Sequence, residues 1–158
     1  MSGAKLKLDS AFYFDDVQVW GLVCDLPAYR LCYFINNSLA LELKRAQKDK
    51  TFVHKGTLMH YSLFEFDDEI AGLRWHLLAN KNPWAGDDEV MPSQAYRISG
   101  LPLITSLKLM DYFLLIEGEC SDRSIKNWQE VLKKMPQIRA LEIIDPEKTK
   151  NLHHLLPY

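Results

Sequence analysis

Residues Leu103 to Gly118 read LITSLKLMDYFLLIEG, and the folding of this stretch decides how the rest of the chain is arranged. Two hydroxyl residues stand near its start, one carboxylate, Asp111, sits between Met110 and Tyr112, and an apolar run follows. A short continuous apolar run reads as a buried strand, here DYFLLIEGE. Next, SDRSIKNWQEVLKKM sets Ile125, Trp128, Val131, Leu132 and Met135 on one helical stripe. Ser121 or Asp122 would cap that helix, and Lys133 and Lys134 complement its C-terminal dipole. IRALEII predicts another strand, and Asp145 before Pro146 opens a short final helical turn.

Working backward, TLMHYSLFEF and GLRWHLLAN are strand-like runs around the acidic connection DDEIA, which predicts a hairpin. Its natural register sets Met59, Tyr61 and Leu63 against Leu73, Trp75 and Leu77, with His60 and His76 together on the other face. Val17 to Cys24, VQVWGLVC, is β-branched and apolar, a strand. A helix follows from about Pro27 to Asn37, with Leu31, Phe34 and Ile35 inward and Arg30 and Asn37 outward. LALELKR alternates as a strand should, and KLKLD near the N-terminus gives a short first strand. KNPWAGDDEVMPSQ has no sustained period and is the longest loop. Two strand–helix–strand units thus bracket a central hairpin. The expected class is α+β: a mostly antiparallel sheet with two main helices on one face. A split βαβ, ferredoxin-like arrangement is its most economical version.

The chain's 158 residues suit a single globular domain spanning 1–158, with a core that needs no staples. A formal net charge of -2 argues against a general electrostatic grip on nucleic acid or anionic membrane. Apolar stretches are too short to span a bilayer, and MSGAKLKLDS has no apolar signal core. Three cysteines, Cys24, Cys32 and Cys120, form no CxxC pair and cannot all pair within one chain. That suits a reducing compartment, so the expected location is the cytoplasm.

ITSLKLMDY, Ile104 to Tyr112, resembles the name-giving motif of the IPExxxVDY family of small bacterial proteins. The resemblance extends to YRLCYFINNSLALELKR, LLANK and IIDPEKTKNLHHLL, in the expected order. Ile104, Asp111 and Tyr112 match the motif, whereas Thr105 and Ser106 replace its Pro and Glu, and Met110 its Val. The family has no established activity, so the resemblance transfers no catalytic residues. Any chemistry belonging to the family's Glu is placed in doubt here by Ser106.

Candidate chemistry is sparse. Asp111, at the mouth of a strand, is a candidate ligand group or ion-pair partner for Arg30, with Tyr112 beside it. The structural alternative carries more weight: an aspartate accepting backbone N–H bonds or forming a buried salt bridge, with the Tyr112 hydroxyl bonded locally. In the hairpin register above, His60 and His76 lie roughly 7–8 Å apart at Cα and form a weak candidate metal pair. No third ligand is aimed at them, so no metal or other cofactor is expected. Cys120 lies between a strand and a helix start, but Glu117, Glu119 and Asp122 surround it, which predicts an inert thiol. Lys44, Arg45, Lys48 and Lys50, with Lys5 and Lys7, would make a basic patch, without any RNA-binding motif to support it. Trp20, Trp75 and Trp128 read as core, whereas Trp84 in the long loop is a candidate partner contact.

No nucleotide loop, zinc spacing or nucleophile elbow is present, which removes the cheap arguments for an enzyme. The expectation is a non-enzymatic protein that binds another protein or a second copy of itself, through a sheet face or the Trp84 loop. The alternative is a small-molecule or metal-binding domain, even an enzyme, using Asp111, Tyr112, Arg30 or the His60/His76 pair.

Overall fold

A computed structural model of the chain describes residues 16–54, 56–81 and 101–156. Along the chain these form β1 (Val17–Val23), α1 (Ala28–Leu39), β2 (Lys44–Arg45), β3 (Lys50–His54), β4 (Thr57–Tyr61), β5 (Leu63–Asp68) and β6 (Leu73–Ala79). After residue 100 come a 3₁₀ turn (Thr105–Leu107), β7 (Tyr112–Glu117), α2 (Asp122–Lys134), β8 (Ala140–Ile143) and a second 3₁₀ turn (Leu152–Leu155). Six strands make one sheet in the order β2-β5-β6-β7-β1-β8, and β3 and β4 make a separate two-stranded ribbon. Every neighbouring pair is antiparallel. The fold is therefore α+β.

Central strand β7 is buried on both sides because the sheet is covered on both sides. Tyr112, Leu114 and Ile116 face one core with Trp20, Leu22, Trp75 and Leu77, which α1 covers with Leu31, Cys32 and Ile35 and α2 with Leu132. Trp128 of α2 meets Trp75 edge-on, with ring centroids 4.9 Å apart. Each of these large apolar side chains contributes roughly 1.5–3 kcal/mol when fully buried. On the opposite face Phe113 and Leu115 join Val19, Leu78, Ile104, Leu152 and Leu155, together with Met59 and Tyr61 of the ribbon. Both helices lie on one face, and the ribbon and two 3₁₀ turns lie on the other.

The two strand–helix–strand units differ. β7–α2–β8 is split as expected, since β1 lies between β7 and β8. The first unit instead runs from β1 through α1 to β2 at the far edge, so the sheet is wider than the four-stranded ferredoxin order. α1 also continues past Asn37 to Leu39, where Ala40 stops it in the left-handed region. The strand expected over LALELKR shrinks to Lys44–Arg45, because the Asn36 side chain occupies Leu43. Its Oδ1 accepts the Leu43 N–H at 2.9 Å, and its Nδ2 donates to the Leu43 carbonyl at 3.1 Å.

The central hairpin differs as well. TLMHYSLFEF breaks at Ser62, so β4 pairs with β3 and only β5 pairs with β6. Leu63 lies opposite Leu78, Phe64 opposite Leu77 and Phe66 opposite Trp75. Met59, Tyr61 and Leu63 do share a face, but Leu73, Trp75 and Leu77 line the other one. A shift of one residue in pairing moves every side chain to the opposite face of a sheet. KLKLD and most of the long loop lie outside the described residues.

Candidate functional site

The motif segment and its surroundings gather at the end of the sheet where β1 and β6 finish and β7 begins. Its organiser is Asn80, which is wholly buried. The Asn80 Nδ2 donates to the Leu107 and Met110 carbonyls at 3.0 and 2.9 Å, and its Oδ1 accepts the Ile104 N–H at 2.8 Å. Its backbone adds two more bonds, from its N–H to the Asp111 carbonyl and from the Leu103 N–H to its own carbonyl. One carboxamide thereby bonds three backbone groups, of which the Met110 carbonyl and the Ile104 N–H would otherwise be buried without partners, whereas the Leu107 carbonyl also accepts the Met110 N–H. Sequence reading missed Asn80. An asparagine closing an apolar strand just before a long loop was the available signal.

Asp111 follows directly. Its Oδ2 accepts the Cys24 N–H at 2.9 Å, and its Oδ1 lies 2.7 Å from the Lys81 Nζ. Its own N–H donates to the Leu22 carbonyl. The carboxylate thus joins the end of β1 to Lys81, its salt-bridge partner two residues beyond β6. Arg30 is not that partner: it stands exposed on the outer side of α1. The Tyr112 hydroxyl donates to the Leu26 carbonyl at 2.5 Å, and burial, with the Cys24 thiol and Asp111 nearby, pushes it far above its ordinary pKa. A phenol held protonated in this way ties β7 to the turn before α1.

His60 and His76 are not brought together. His60 is exposed on β4 opposite Thr51, and His76 is buried in β6 opposite Glu65. The His76 Nε2 lies 3.4 Å from the Glu117 Oε2. Burial lowers the His76 pKa; the Glu117 charge and hydrogen bond, and Glu65, oppose that shift, and Arg74 adds to it. Among the described residues no group of three metal-ligating side chains converges.

Cys120 is half-buried, and burial together with the Asp16 charge raises its thiol pKa. Burial also raises the Cys24 thiol and pushes Cys32 up to about 11. Of the basic segment, Arg45 pairs with Asp49 and Lys50 donates to the Leu156 carbonyl. Trp84 lies outside the described residues, as do Lys5 and Lys7.

No family model and no curated protein matches this chain. Geometry is thus the whole basis for a functional reading. At this end of the sheet it gives pins: Asn80, Asp111 and Tyr112 each hold separate segments of backbone together. Among the described residues, no helix is long and apolar enough to cross a membrane.

Proposed function

We propose that the protein is a non-enzymatic interaction domain whose contact surface includes the solvent side of α1. One observation carries this reading: Tyr29 and Tyr33, one helical turn apart on α1, are 67% and 61% exposed. Residues four apart project from the same side of a helix. Tyrosine combines a large rigid apolar body with a polar tip, and such residues dominate the energetics of protein contacts. Asp111 and Tyr112 support the same reading from the other direction, because their polar atoms are already committed to Cys24, Lys81 and Leu26.

Membership of the IPExxxVDY family belongs to the same proposal. It is supported by the roles of the three matching residues: Ile104 is bound by Asn80, and Asp111 and Tyr112 are pins. A cytoplasmic setting is part of it too, supported by three free thiols, and a bacterial one goes with the family resemblance.

Native mass spectrometry and sedimentation velocity of the intact protein test the surface, comparing wild type with the Tyr29→Ser/Tyr33→Ser double variant. The expected result is association with itself or with an added partner, weakened at least tenfold in the variant. Association of unchanged strength in a folded variant would remove α1 from the reading.

A further inference from the structure

The β3–β4 ribbon is not part of the main sheet, yet it covers one of its two cores with Met59 and Tyr61, which are almost wholly buried. What holds it from outside is the C-terminal 3₁₀ turn. Phe52 of β3 packs against the His154 ring, with centroids 4.7 Å apart, and His154 in turn meets the His153 ring edge-on at 4.3 Å. The Lys50 Nζ donates to the Leu156 carbonyl at 2.5 Å, so the ribbon's first residue is tied to the same turn. Leu152, Leu155 and Leu156 are buried beneath it.

We propose that the Leu152–Leu155 turn is an acid-released latch, in which neutral His154 clasps the ribbon onto the core and protonated His154 lets it go. Among the described residues, the charged or titratable groups acting on His154 are His153 from its own turn and Lys50 from β3. Lys50 carries a positive charge, and His153 is a second imidazole against the first. Protonating His154 therefore brings a cation to a half-buried position under the influence of the Lys50 charge, and like charges repel. Burial, His153 and Lys50 all lower the His154 pKa in the closed state. In an opened state the imidazole returns toward its ordinary value near 6.5. Linkage then fixes the sign: the opened state takes up the proton first as pH falls, so opening is favoured below about pH 6.5. The opening constant rises by at most about tenfold per pH unit and levels off below the closed-state value. The latch is independent of the α1 tyrosines.

Hydrogen exchange of the full-length protein at pH 7.5 and 5.0, corrected for intrinsic rates, reads this opening. Protection of amides in 50–61 and 152–156 is expected to fall at pH 5.0 by at least threefold more than that of β7. His154→Phe keeps an aromatic ring against Phe52 and cannot be protonated, and the loss should vanish in it. Lys50→Met, which removes one facing cation but leaves His154 in place, should reduce the loss without abolishing it, and serves if the phenylalanine variant fails to fold. Unchanged protection in the wild type would overturn the latch. So would an equal acid response in either variant, or equal losses in ribbon and β7, which would mean global loosening.

Discussion

Asp111 and Cys24, 87 residues apart in the chain, meet at the end of the sheet, where the Asp111 Oδ2 accepts the Cys24 N–H at 2.9 Å. That N–H belongs to the first residue after β1, where the chain leaves the sheet for α1 and strand pairing can no longer satisfy it. Lys81 holds the other carboxylate oxygen. One side chain thereby replaces the missing ladder partner and fixes the order β6-β7-β1 at that end.

Replacing Asp111 with Ala should cost about 1.5–3 kcal/mol, the range for a hydrogen bond to a charged acceptor whose donor is left unmade. Lys81→Met should cost under about 1 kcal/mol, because the lysine is 38% exposed and water screens the pair. Arg30→Ala should fall within roughly 0.5 kcal/mol of wild type, as expected for an exposed residue outside the network. Urea denaturation of the three variants measures all of this. A loss at Arg30 larger than that at Lys81 would contradict the arrangement.

Asn80→Ala removes three hydrogen bonds at a wholly buried position and should cost about 2–4 kcal/mol, since the Met110 carbonyl and the Ile104 N–H lose their partners while the Leu107 carbonyl keeps the Met110 N–H. Asn80→Asp should be no better, because it aims a carboxylate at the Leu107 and Met110 carbonyls. The local signature is faster hydrogen exchange at Ile104 and Leu107 than elsewhere in either variant. Stability near wild type in the alanine variant would show that the 3₁₀ loop holds itself.

β7 and α2 were legible in the sequence because each carries one dominant signal: an unbroken apolar run in the first, a 3.6-residue stripe in the second. The cap is legible too, since the Ser121 hydroxyl accepts the Ser124 N–H. The break at Ser62 was hidden, because Met59, Tyr61 and Leu63 alternate through it and keep to one face. Alternation reports which face a residue takes and is silent about which strand lies beside it. For the same reason His60 and His76 looked like neighbours. Asp111 could be read as structural, yet its partners came from Cys24 and Lys81, contacts across 87 and 30 residues that no local pattern encodes.

Gly118, at the end of β7, has a φ of +124°, and a Cβ there would stand 2.7 Å from the Gly72 carbonyl oxygen. Backbone cannot yield as a flexible side chain would. Gly118→Ala should therefore cost about 2–3 kcal/mol or more, combining an unfavourable backbone region with a steric clash. Thermal unfolding by circular dichroism checks it, with Gly56→Ala as the comparison. Gly56 also has positive φ but open space around it, so strain alone should make its loss the smaller one.

Thiol reactivity follows from burial. Cys24 and Cys32 are buried and Cys120 is half-buried, and all three have raised pKa values. Because the thiolate is the reacting form, native protein at pH 8 should react with a disulfide reagent well over tenfold more slowly than protein in urea. Cys120 should be the first to react, and Cys120→Ser should remove the fastest phase. A fast native phase that survives this substitution would place the reactive thiol at Cys24 or Cys32 instead.

His76 sets a second acid sensitivity, in the sheet itself. Burial lowers its pKa in the folded state more than Glu117 and Glu65 raise it. Above about pH 6.5 the imidazole is neutral whether the chain is folded or not, so it imposes no pH dependence there. Below that the unfolded chain binds the proton first, and stability falls by at most about 1.4 kcal/mol per pH unit until the folded-state value is reached. Equilibrium urea unfolding from pH 8 to 5 should show this loss, and His76→Gln, which keeps a polar group and cannot titrate, should flatten it. His154→Phe should leave the His76 contribution in place while abolishing the local opening of the ribbon. A slope unchanged in His76→Gln would mean that the imidazole binds its proton equally in the folded and unfolded chain, with Glu117 and Glu65 offsetting burial.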